Sequence, residues 1–373
     1  MRQSSSPRVI LTGGGTAGHV TPNLAIIPFL RRRGFDIRYI GTSNGMEREL
    51  ITKENIPYYA IPAGKLRRYA DVRNVTDIVR IKLGFLKSLF FIAMIRPQVL
   101  FSKGGFVACP VVWASWIMRV PVIVHESDIL PGLANRLSLP FASRICYSFP
   151  ETASRLPLSK AVETGIPVRE ELLRGNPERG RSLCGFTDAK PTLMVIGGSQ
   201  GAQAINACVR EALDVLLLRF NICHCCGRGN LAGLRHGYAQ FEYADRELAD
   251  LFALADVVIS RAGATALFEL LALKKPGLLI PLPLHASRGD QILNARSFES
   301  RSFSLVLPQE NMTKETLAEG VSSLFEKRSD LIARMQNAAS IPAVQRVVTL
   351  IEELALRGHR RGFTATNKNR FYR

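Results

Sequence analysis

The size and charge of the chain narrow the class of protein before any motif is considered. Its 373 residues exceed the length at which one hydrophobic core usually stops growing, and its 47% hydrophobic and 21% charged residues exclude a disordered chain, so we predict two globular domains. The 49 Lys+Arg outnumber the 31 Asp+Glu for a formal net charge of +18, which indicates an anionic partner: nucleic acid, an anionic membrane or a phosphorylated ligand.

Sequence signals for nucleic-acid binding, secretion and membrane spanning are missing. No zinc-finger spacing, basic leucine zipper or RNP-like aromatic motif occurs, and the basic residues are dispersed, so we expect no nucleic-acid partner. Seven Cys and a short polar start before the first apolar run indicate reduced thiols and a cytoplasmic protein without a signal peptide. The apolar run 85–95 contains Lys87 and is shorter than the ~20 residues that a spanning helix needs.

Short β-branched runs alternate with helix-length segments from the start of the chain. Strands are predicted at Arg8–Leu11 and Asp36–Ile40, with a helix from about Pro22 to Arg33 between them. This is the βαβ pattern of a parallel sheet. Further strands are predicted at 99–101 and 120–124, and the pattern begins again with a strand at 192–196. The sequence therefore predicts an α/β protein whose second domain starts near residue 165.

A glycine-rich loop follows the first strand of each predicted domain, at 13–18 and at 197–202. The backbone N–H groups of such a loop, together with the N-terminus of the next helix, can bind an anion. Neither loop continues as a Walker motif, and neither has the acidic residue that the dinucleotide fingerprint requires at the end of the next strand. We interpret the pair as phosphate or pyrophosphate sites; the alternative is a tight strand-to-helix turn.

Several polar side chains follow predicted strands. His19 lies where the first loop enters its helix, and it could accept a hydroxyl proton near neutral pH or serve only as a helix-start hydrogen bonder. Polar residues at 125–128 follow the strand 120–124. Glu269 lies inside a helix after a small-residue turn, where a carboxylate suits ribose hydroxyls but could equally pair with a Lys or Arg. The contiguous Cys223–Cys226 cluster lacks the spacing of a zinc site.

The segment from Val75 to Met94 combines apolar residues at helical spacing with interleaved Arg and Lys. That pattern is typical of a helix lying in a membrane interface, and the net charge favours this interpretation. A core-facing helix with solvated lysines would show the same periodicity. The residues predicted to face the membrane are Ile78, Ile81 and Phe85.

Seven short motifs occur along the chain in a recognisable order: G-G-G-T-A-G-H at 13, G-G-F-V at 104, H-E-S-D at 125, G-I-P-V-R at 165, G-G-S-Q-G-A at 197, R-A-G-A at 261 and D-Q at 290. With these motifs the chain resembles the MurG family from about Arg8 to Leu356. The resemblance implies the GT-B fold, two doubly wound Rossmann-like domains that face each other across a cleft. It also implies a peripheral protein on the cytoplasmic face of the bacterial inner membrane.

The resemblance implies transfer of N-acetylglucosamine from UDP-N-acetylglucosamine to the C4 hydroxyl of undecaprenyl-pyrophosphoryl-N-acetylmuramoyl-pentapeptide, with inversion. It also suggests a division of the chain: an acceptor- and membrane-facing domain at 1–164, a UDP-sugar domain at 165–342, a helix at 343–357 that packs back toward the first domain, and a mobile basic tail at 358–373. The partners are then the donor, the lipid acceptor and an anionic membrane surface.

Donor-site residues follow by the same resemblance. Arg169 and Ser199 would reach the phosphates, Glu269 would hold the ribose, and the backbone near Ala244 would read uracil. The remaining contacts to the diphosphate and sugar would come from Thr16, Ala17 and Gly18 in the first loop, from Ala264, Thr265, Ala266, Leu267 and Phe268 in the turn before Glu269, and from Asp290 with Gln291.

An inverting transfer needs one general base, for which His19 is the first candidate and Glu126 the second. The sequence has no Asp-x-Asp pair of the kind that binds a metal-diphosphate complex, so helix N-termini and Arg169 would neutralise the leaving group. We therefore predict neither a required metal nor a cofactor.

Three motifs depart from the family pattern. Asp128 stands where Asn is usual at the donor sugar, which exchanges an amide donor for an acceptor. Phe106 stands where Tyr is common, and 265–268 differs from the usual Leu-Thr-Val-Ser. The alternatives are a related transferase with another lipid or metabolite acceptor, and a non-catalytic UDP-sugar-binding scaffold at the membrane. A nicotinamide dehydrogenase is a more distant alternative, because the loops lack the ribose-binding acid.

Overall fold

The structure is a computed structural model that describes residues 6–64, 73–197, 202–338 and 342–368, with backbone alone at 73–75 and 357–368. The chain forms two compact units. Unit 1 comprises the described residues of Met1–Pro167 and Ile341–Arg373, and unit 2 those of Val168–Ser340. The division lies slightly later than the predicted boundary near residue 165.

Unit 1 contains a seven-stranded parallel sheet of order β3-β2-β1-β4-β5-β6-β7. Side chains alternate between the two faces of its central strand: Val9 and Leu11 pack in one core, and Ile10 in the other. Burial on both faces explains why these strands are continuous apolar runs. The strands are β1 (Arg8–Thr12), β2 (Asp36–Thr42), β3 (Tyr58–Ile61), β4 (Val99–Ser102), β5 (Val122–Glu126), β6 (Arg144–Tyr147) and β7 (Ala161–Glu163).

The helices of unit 1 cover both faces of this sheet. They are α1 (Ala17–Arg32), α2 (Met46–Lys53), α3 (Arg73–Ile95), α4 (Ala108–Ile117) and α5 (Leu133–Ser138), with 3₁₀ turns at Leu139–Phe141 and Pro150–Arg155. Helix α1 begins at Ala17, earlier than predicted, because Pro22 lies inside the helix rather than at its first position. The earlier start places the helix N-terminus directly at the first glycine loop.

Unit 2 contains a six-stranded parallel sheet of order β10-β9-β8-β11-β12-β13. Its strands are β8 (Thr192–Ile196), β9 (Asn221–Cys225), β10 (Tyr238–Phe241), β11 (Val257–Ser260), β12 (Gly277–Leu279) and β13 (Ser304–Val306). Its helices are α6 (Pro177–Cys184), α7 (Gln203–Glu211), α8 (Leu213–Arg219), α9 (Leu248–Leu254), α10 (Ala264–Leu273), α11 (Asp290–Ser300) and α12 (Lys314–Asn337), with 3₁₀ turns at Glu170–Arg174 and Gln309–Asn311.

The C-terminal helix α13 (Ala343–Lys368) packs on unit 1. Val347 and Ile351 are fully buried in the same core as residues of α1, and Arg33 forms an ion pair with Glu352 at 3.1 Å. The helix continues to Lys368, whereas the sequence predicted a mobile tail from residue 358; the amphipathic pattern that predicted the helix does not mark where it ends. Residues 369–373 lie outside the described part of the chain.

The strand orders have a direct consequence for ligand binding. In both sheets the direction of winding reverses beside the first strand, between β1 and β4 in unit 1 and between β8 and β11 in unit 2. Open α/β sheets bind ligands outside the carboxyl ends of the strands at such a switch point. The predicted class, α/β with two Rossmann-like domains, is confirmed, and each domain has one expected site.

Candidate active site

The switch point of unit 2 is bordered by the N-terminus of α10. Gly263 is the N-cap residue of this helix and has no side chain with which to cap the first turn, formed by Ala264, Thr265 and Ala266. A helix N-terminus carries partial positive charge and N–H groups that lack an intrahelical acceptor, which suits a phosphate. The predicted loop after β8, including Ser199, lies outside the described residues.

The next two residues of α10 point elsewhere. Leu267 is fully buried, and the ring of Phe268 packs edge-on against Phe298 at 5.8 Å between centroids. Both were predicted to contact the donor. Leu267 therefore offers a ligand only its backbone, Phe268 is half-buried, and the predicted contacts of this turn with the diphosphate are through its N–H groups.

The Arg169 guanidinium interacts with two carboxyl groups, those of Asp245 and Glu269. Arg169 precedes the 3₁₀ turn Glu170–Arg174, and its Nη1 lies 3.9 Å from an Asp245 carboxylate oxygen. Its Nε is buried and has no hydrogen-bond partner among the described residues. Burial raises the pKa of Glu269 to about 7, against the opposing attraction of Arg169. Ala244, predicted to read uracil, is buried and directly precedes Asp245.

Helix α11 brings the predicted sugar-binding pair to the loop after β12. Gly289 precedes it with φ +81°, a left-handed conformation that favours glycine. Asp290 forms an ion pair with Arg288 at 2.7 Å. The Gln291 side-chain oxygen accepts a hydrogen bond from the Leu282 N–H at 3.1 Å, which orients its amide nitrogen as the donor.

In unit 1 the loops after β1 and β4 touch through their backbones. Gly105 has φ +84°, and a Cβ there would lie 2.3 Å from the carbonyl oxygen of Gly14. Any larger residue would force the two loops apart. Glycine at 105 is therefore required for the switch point of unit 1 to close in this way.

A buried acid lies beneath the first glycine loop. Glu47 is fully buried on α2, and its carboxylate accepts hydrogen bonds from the Gly15 N–H at 3.3 Å and from the Thr42 N–H at 3.1 Å. A Cβ at Gly14 would lie 2.6 Å from this carboxyl group. Because the Gly15 N–H already donates to the Glu47 carboxylate, fewer N–H groups of the loop remain for a phosphate. The loop is therefore less suited to bind phosphate than the sequence predicted. No sequence signal marked Glu47.

His19 is held by its neighbour at the helix start. Its Nδ1 lies 2.9 Å from the Thr16 hydroxyl, and Thr16 is the N-cap of α1 without a cap hydrogen bond from its side chain. The imidazole is half-buried. Ala17 and Gly18 form the first turn between these two residues, so the predicted group from Thr16 to His19 lies together at the carboxyl edge of β1.

The H-E-S-D segment divides into a buried and an accessible half. His125 is fully buried, with Nε2 2.9 Å from the Gly165 carbonyl, and burial lowers its pKa. Glu126 is buried, and it accepts hydrogen bonds from the Asp128 and Gly132 N–H groups at 3.0 and 3.1 Å and from the Asn135 amide at 2.8 Å. Burial raises the pKa of Glu126 to about 7. Both residues hold the loop, whereas Ser127 and Asp128 are partly exposed.

Helix α3 exposes an apolar face that differs from the predicted one. Ile78 is 47% exposed, as expected, but Ile81 is half-buried and Phe85 packs on the core of unit 1. The helical spacing of the apolar residues was predicted correctly, but the exposed side of the helix was not. Spacing alone does not show which side of a helix packs on the domain. The exposed apolar residues of α3 are Ile78, Val79, Leu83, Leu86, Phe90 and Met94, and Trp116 and Ile117 are exposed at the end of α4.

Two features are absent from the described residues. None of their helices combines the length and apolar character needed to cross a bilayer. No group of three or more His, Cys, Asp or Glu side chains in the described ranges could hold a metal ion. The Cys223–Cys226 cluster contains free buried thiols, and His224 between them bonds to the Tyr238 hydroxyl and the Asn206 carbonyl, each at 2.9 Å.

Comparisons with known proteins agree with this architecture. The glycosyltransferase family 28 N-terminal domain matches residues 9–147, and the family 28 C-terminal domain matches residues 192–354. A protein of Clostridium tetani named UDP-N-acetylglucosamine–N-acetylmuramyl-(pentapeptide) pyrophosphoryl-undecaprenol N-acetylglucosamine transferase is 48% identical over 349 residues, 93% of this chain and 98% of that protein. A Lachnoclostridium phytofermentans protein of the same name is 50% identical over 94% of this chain and 99% of its own length.

A solved structure is also similar. The crystal structure of Acinetobacter baumannii MurG superposes with a TM-score of 0.73 at 26% identity, covering 93% of this chain and 99% of that one. The two domain matches together span most of the chain, and the relatives cover it nearly from end to end. The resemblance found in the motifs is thereby confirmed: the chain belongs to glycosyltransferase family 28 and, within it, to the MurG family.

Proposed function

We propose that this protein transfers N-acetylglucosamine from UDP-N-acetylglucosamine to the C4 hydroxyl of undecaprenyl-pyrophosphoryl-N-acetylmuramoyl-pentapeptide, with inversion at the anomeric carbon. The observation that carries the proposal is in unit 2. There the N-terminus of α10 with Gly263 as its N-cap, the Arg169 guanidinium, whose buried Nε has no partner in the described part of the chain, and the Glu269 carboxylate lie at one switch point. Together they offer groups for a diphosphate and a ribose.

The nucleotide would be bound by unit 2. Arg169 and the first turn of α10 would neutralise charge on the diphosphate as the bond to the sugar breaks. Glu269, once ionised, would accept hydrogen bonds from both ribose hydroxyls, and the backbone at Ala244 would meet the uracil. Gln291 would donate to the sugar through its amide nitrogen, because its amide oxygen already accepts from the Leu282 N–H, and Asp290 would act beside it.

The acceptor hydroxyl would be deprotonated by His19. An imidazole has the right basicity for this step near neutral pH. With Nδ1–H donating to the Thr16 hydroxyl oxygen, Nε2 would carry the lone pair that takes the acceptor proton. Glu126 is the weaker candidate, because its two oxygens already accept hydrogen bonds from the loop that it holds.

The lipid end of the acceptor requires a membrane surface. The exposed apolar face of α3, with Leu86 at 59% and Phe90 at 64% exposure, would enter the headgroup region. Arg80, Lys82 and Lys87 are exposed on the same helix and would face anionic lipid headgroups. We place this surface, and the reaction, on the cytoplasmic face of the inner membrane, where the UDP-sugar donor is available.

The test is transfer from radiolabelled UDP-sugars to defined acceptors in detergent micelles. The expected result is one labelled product, formed from UDP-N-acetylglucosamine and the undecaprenyl-linked N-acetylmuramoyl-pentapeptide. Transfer only to other extracted lipids would indicate a related transferase with another acceptor. The partly exposed Asp128 would then contribute to the difference in specificity. Tight binding of UDP-N-acetylglucosamine without transfer to any acceptor would indicate a scaffold. Either outcome would overturn the proposal.

A further inference from the structure

A buried lysine joins the three loops at the switch point of unit 1. Lys103 directly follows β4 and is 1% exposed. Its N–H donates to the Thr12 carbonyl at 2.9 Å, which ties the loop after β4 to the end of β1. Its side-chain stem lies against the first glycine loop, since a Cβ at Gly13 would be 3.1 Å from the Lys103 Cβ.

The ammonium group of Lys103 faces the third loop. Nζ donates a hydrogen bond to the Ser127 hydroxyl. The carboxylates of Glu126 and Asp128, on either side of that serine, attract the ammonium. The other titratable groups that face it are the Cys146 thiol on β6 and the His125 imidazole on β5. Burial opposes the charge and lowers the pKa of Lys103 to about 8.

The two carboxylates repel each other, since the charge of Asp128 contributes to the raised pKa of Glu126. Without a cation between them, one carboxyl group would take up a proton or the loop would move. Glu126 is fixed by three hydrogen bonds inside the loop. Asp128 is the partly exposed member, so its position is the one that depends on Lys103.

We propose that Lys103 is a positioning residue for the transferase reaction: its buried ammonium, bonded to Ser127 and facing Glu126 and Asp128, holds the loop at 126–128, and with it the Asp128 carboxylate, in place at the edge of the site. An ionised carboxylate only accepts hydrogen bonds. Asp128 is thereby set to receive a hydroxyl of the sugar substrate, a selectivity that a neutral side chain at 128 would not impose. This inference rests on the proposed function.

The test is a double-mutant cycle of Lys103→Met and Asp128→Asn, with Lys53→Met on the exposed face of α2 as the control. Removing the lysine alone leaves two carboxylates without their counter-charge, and we expect transfer to fall ~100-fold. In the Asp128→Asn background the same removal is expected to cost less than ~5-fold, because Glu126 is then the one carboxyl group left beside the former ammonium and can take up a proton. UDP binding by unit 2 should be unchanged in every variant.

The pH profile separates positioning from mere folding. Wild-type transfer is expected to decline as the pH rises through about 8, where the Lys103 ammonium is lost. The decline should be absent from the double variant, which has neither partner of the charge pair. A residue with only a packing role would leave the profile of the two proteins alike.

Unfolding of the same four proteins, without substrate, tests the charge pair independently of activity. We expect the double variant to be more stable than the sum of the single effects predicts. Additive unfolding effects would overturn the inference, whatever the activity. The inference would also be overturned if Lys103→Met lowered transfer activity by the same factor with and without Asp128→Asn. A wild-type protein that shows this coupling but no transfer would instead contradict the proposed function.

Discussion

Replacing Glu269 by Gln should weaken nucleotide binding and strengthen unit 2 at the same time. The glutamate is held in a buried setting that raises its pKa from 4.5 to about 7. In the empty protein, ionisation of this carboxyl group costs free energy, and hydrogen bonds from ligand hydroxyls offset that cost. A raised pKa of this kind is typical of a ligand-binding carboxylate. Gln keeps the shape of the side chain and removes the charge.

The size of both effects follows from the structure. A pKa raised from 4.5 to about 7 corresponds to at most about 3 kcal/mol against the charged form. Because the Glu269 side chain is half-buried rather than fully enclosed, solvent screening reduces this to ~1–2 kcal/mol. Because the folded-state pKa lies above the unfolded one, wild-type stability falls as the pH rises from about 4.5 to about 7 and is constant above it. Hydrogen bonds to a charged group contribute ~1.5–3 kcal/mol, so the UDP dissociation constant should rise ~10-fold or more.

The assays are calorimetric titration with UDP at pH 8 and urea unfolding at pH 5 and pH 8. Glu269→Gln should match the wild type in stability at pH 5, where the carboxyl is protonated, and exceed it at pH 8. The exposed Glu299 of α11 provides a matched control, because Glu299→Gln should alter neither quantity. Unchanged UDP affinity in Glu269→Gln, with the stability gain present, would refute the ribose assignment and leave a purely structural carboxyl.

Other predictions concern unit 1. His19→Ala should lower kcat by ~10²–10⁴ with UDP affinity unchanged in calorimetry; a lost UDP affinity would instead place His19 in the nucleotide site. Glu47→Gln should reduce transfer without reducing UDP binding, because it releases the first glycine loop, and wild-type kinetics would show that the loop does not need this carboxylate. The double variant Leu86→Glu with Phe90→Glu should no longer sediment with anionic vesicles, since burying each side chain contributes ~1.5–3 kcal/mol. It should still use a soluble acceptor analogue as a substrate. Retained vesicle binding would exclude this face of α3 as the membrane-binding surface.

The fold was largely predictable because its signals are local and repeated. Runs such as Val9–Leu11 are continuous and apolar where a strand is buried on both faces, and each is followed by glycine or polar residues where the strand ends. Those two features locate the strands, their parallel arrangement and the loops of both switch points. The end of α13 was not predictable, because the pattern contains no signal for where the helix stops.

The site was predictable only where a motif marks it. His19, Arg169 and Glu269 lie in marked segments, but Glu47 lies in an ordinary amphipathic helix and reaches its loop only through the tertiary fold. Lys103 had one usable signal, an ionisable residue directly after four buried strand residues, and its partners at 126–128 could not be inferred without the order of the strands. The facing side of α3 was missed for the same reason.

The measurement that tests the proposed function most directly is transfer of radiolabelled N-acetylglucosamine from its UDP donor to a synthetic undecaprenyl-pyrophosphoryl-N-acetylmuramoyl-pentapeptide, comparing the wild type with His19→Ala and Glu269→Ala. We predict a labelled disaccharide-lipid from the wild type. His19→Ala should lose turnover, and Glu269→Ala should lose donor affinity. Undiminished turnover in both variants would contradict the site, and a wild type that binds the donor without forming product would contradict the function.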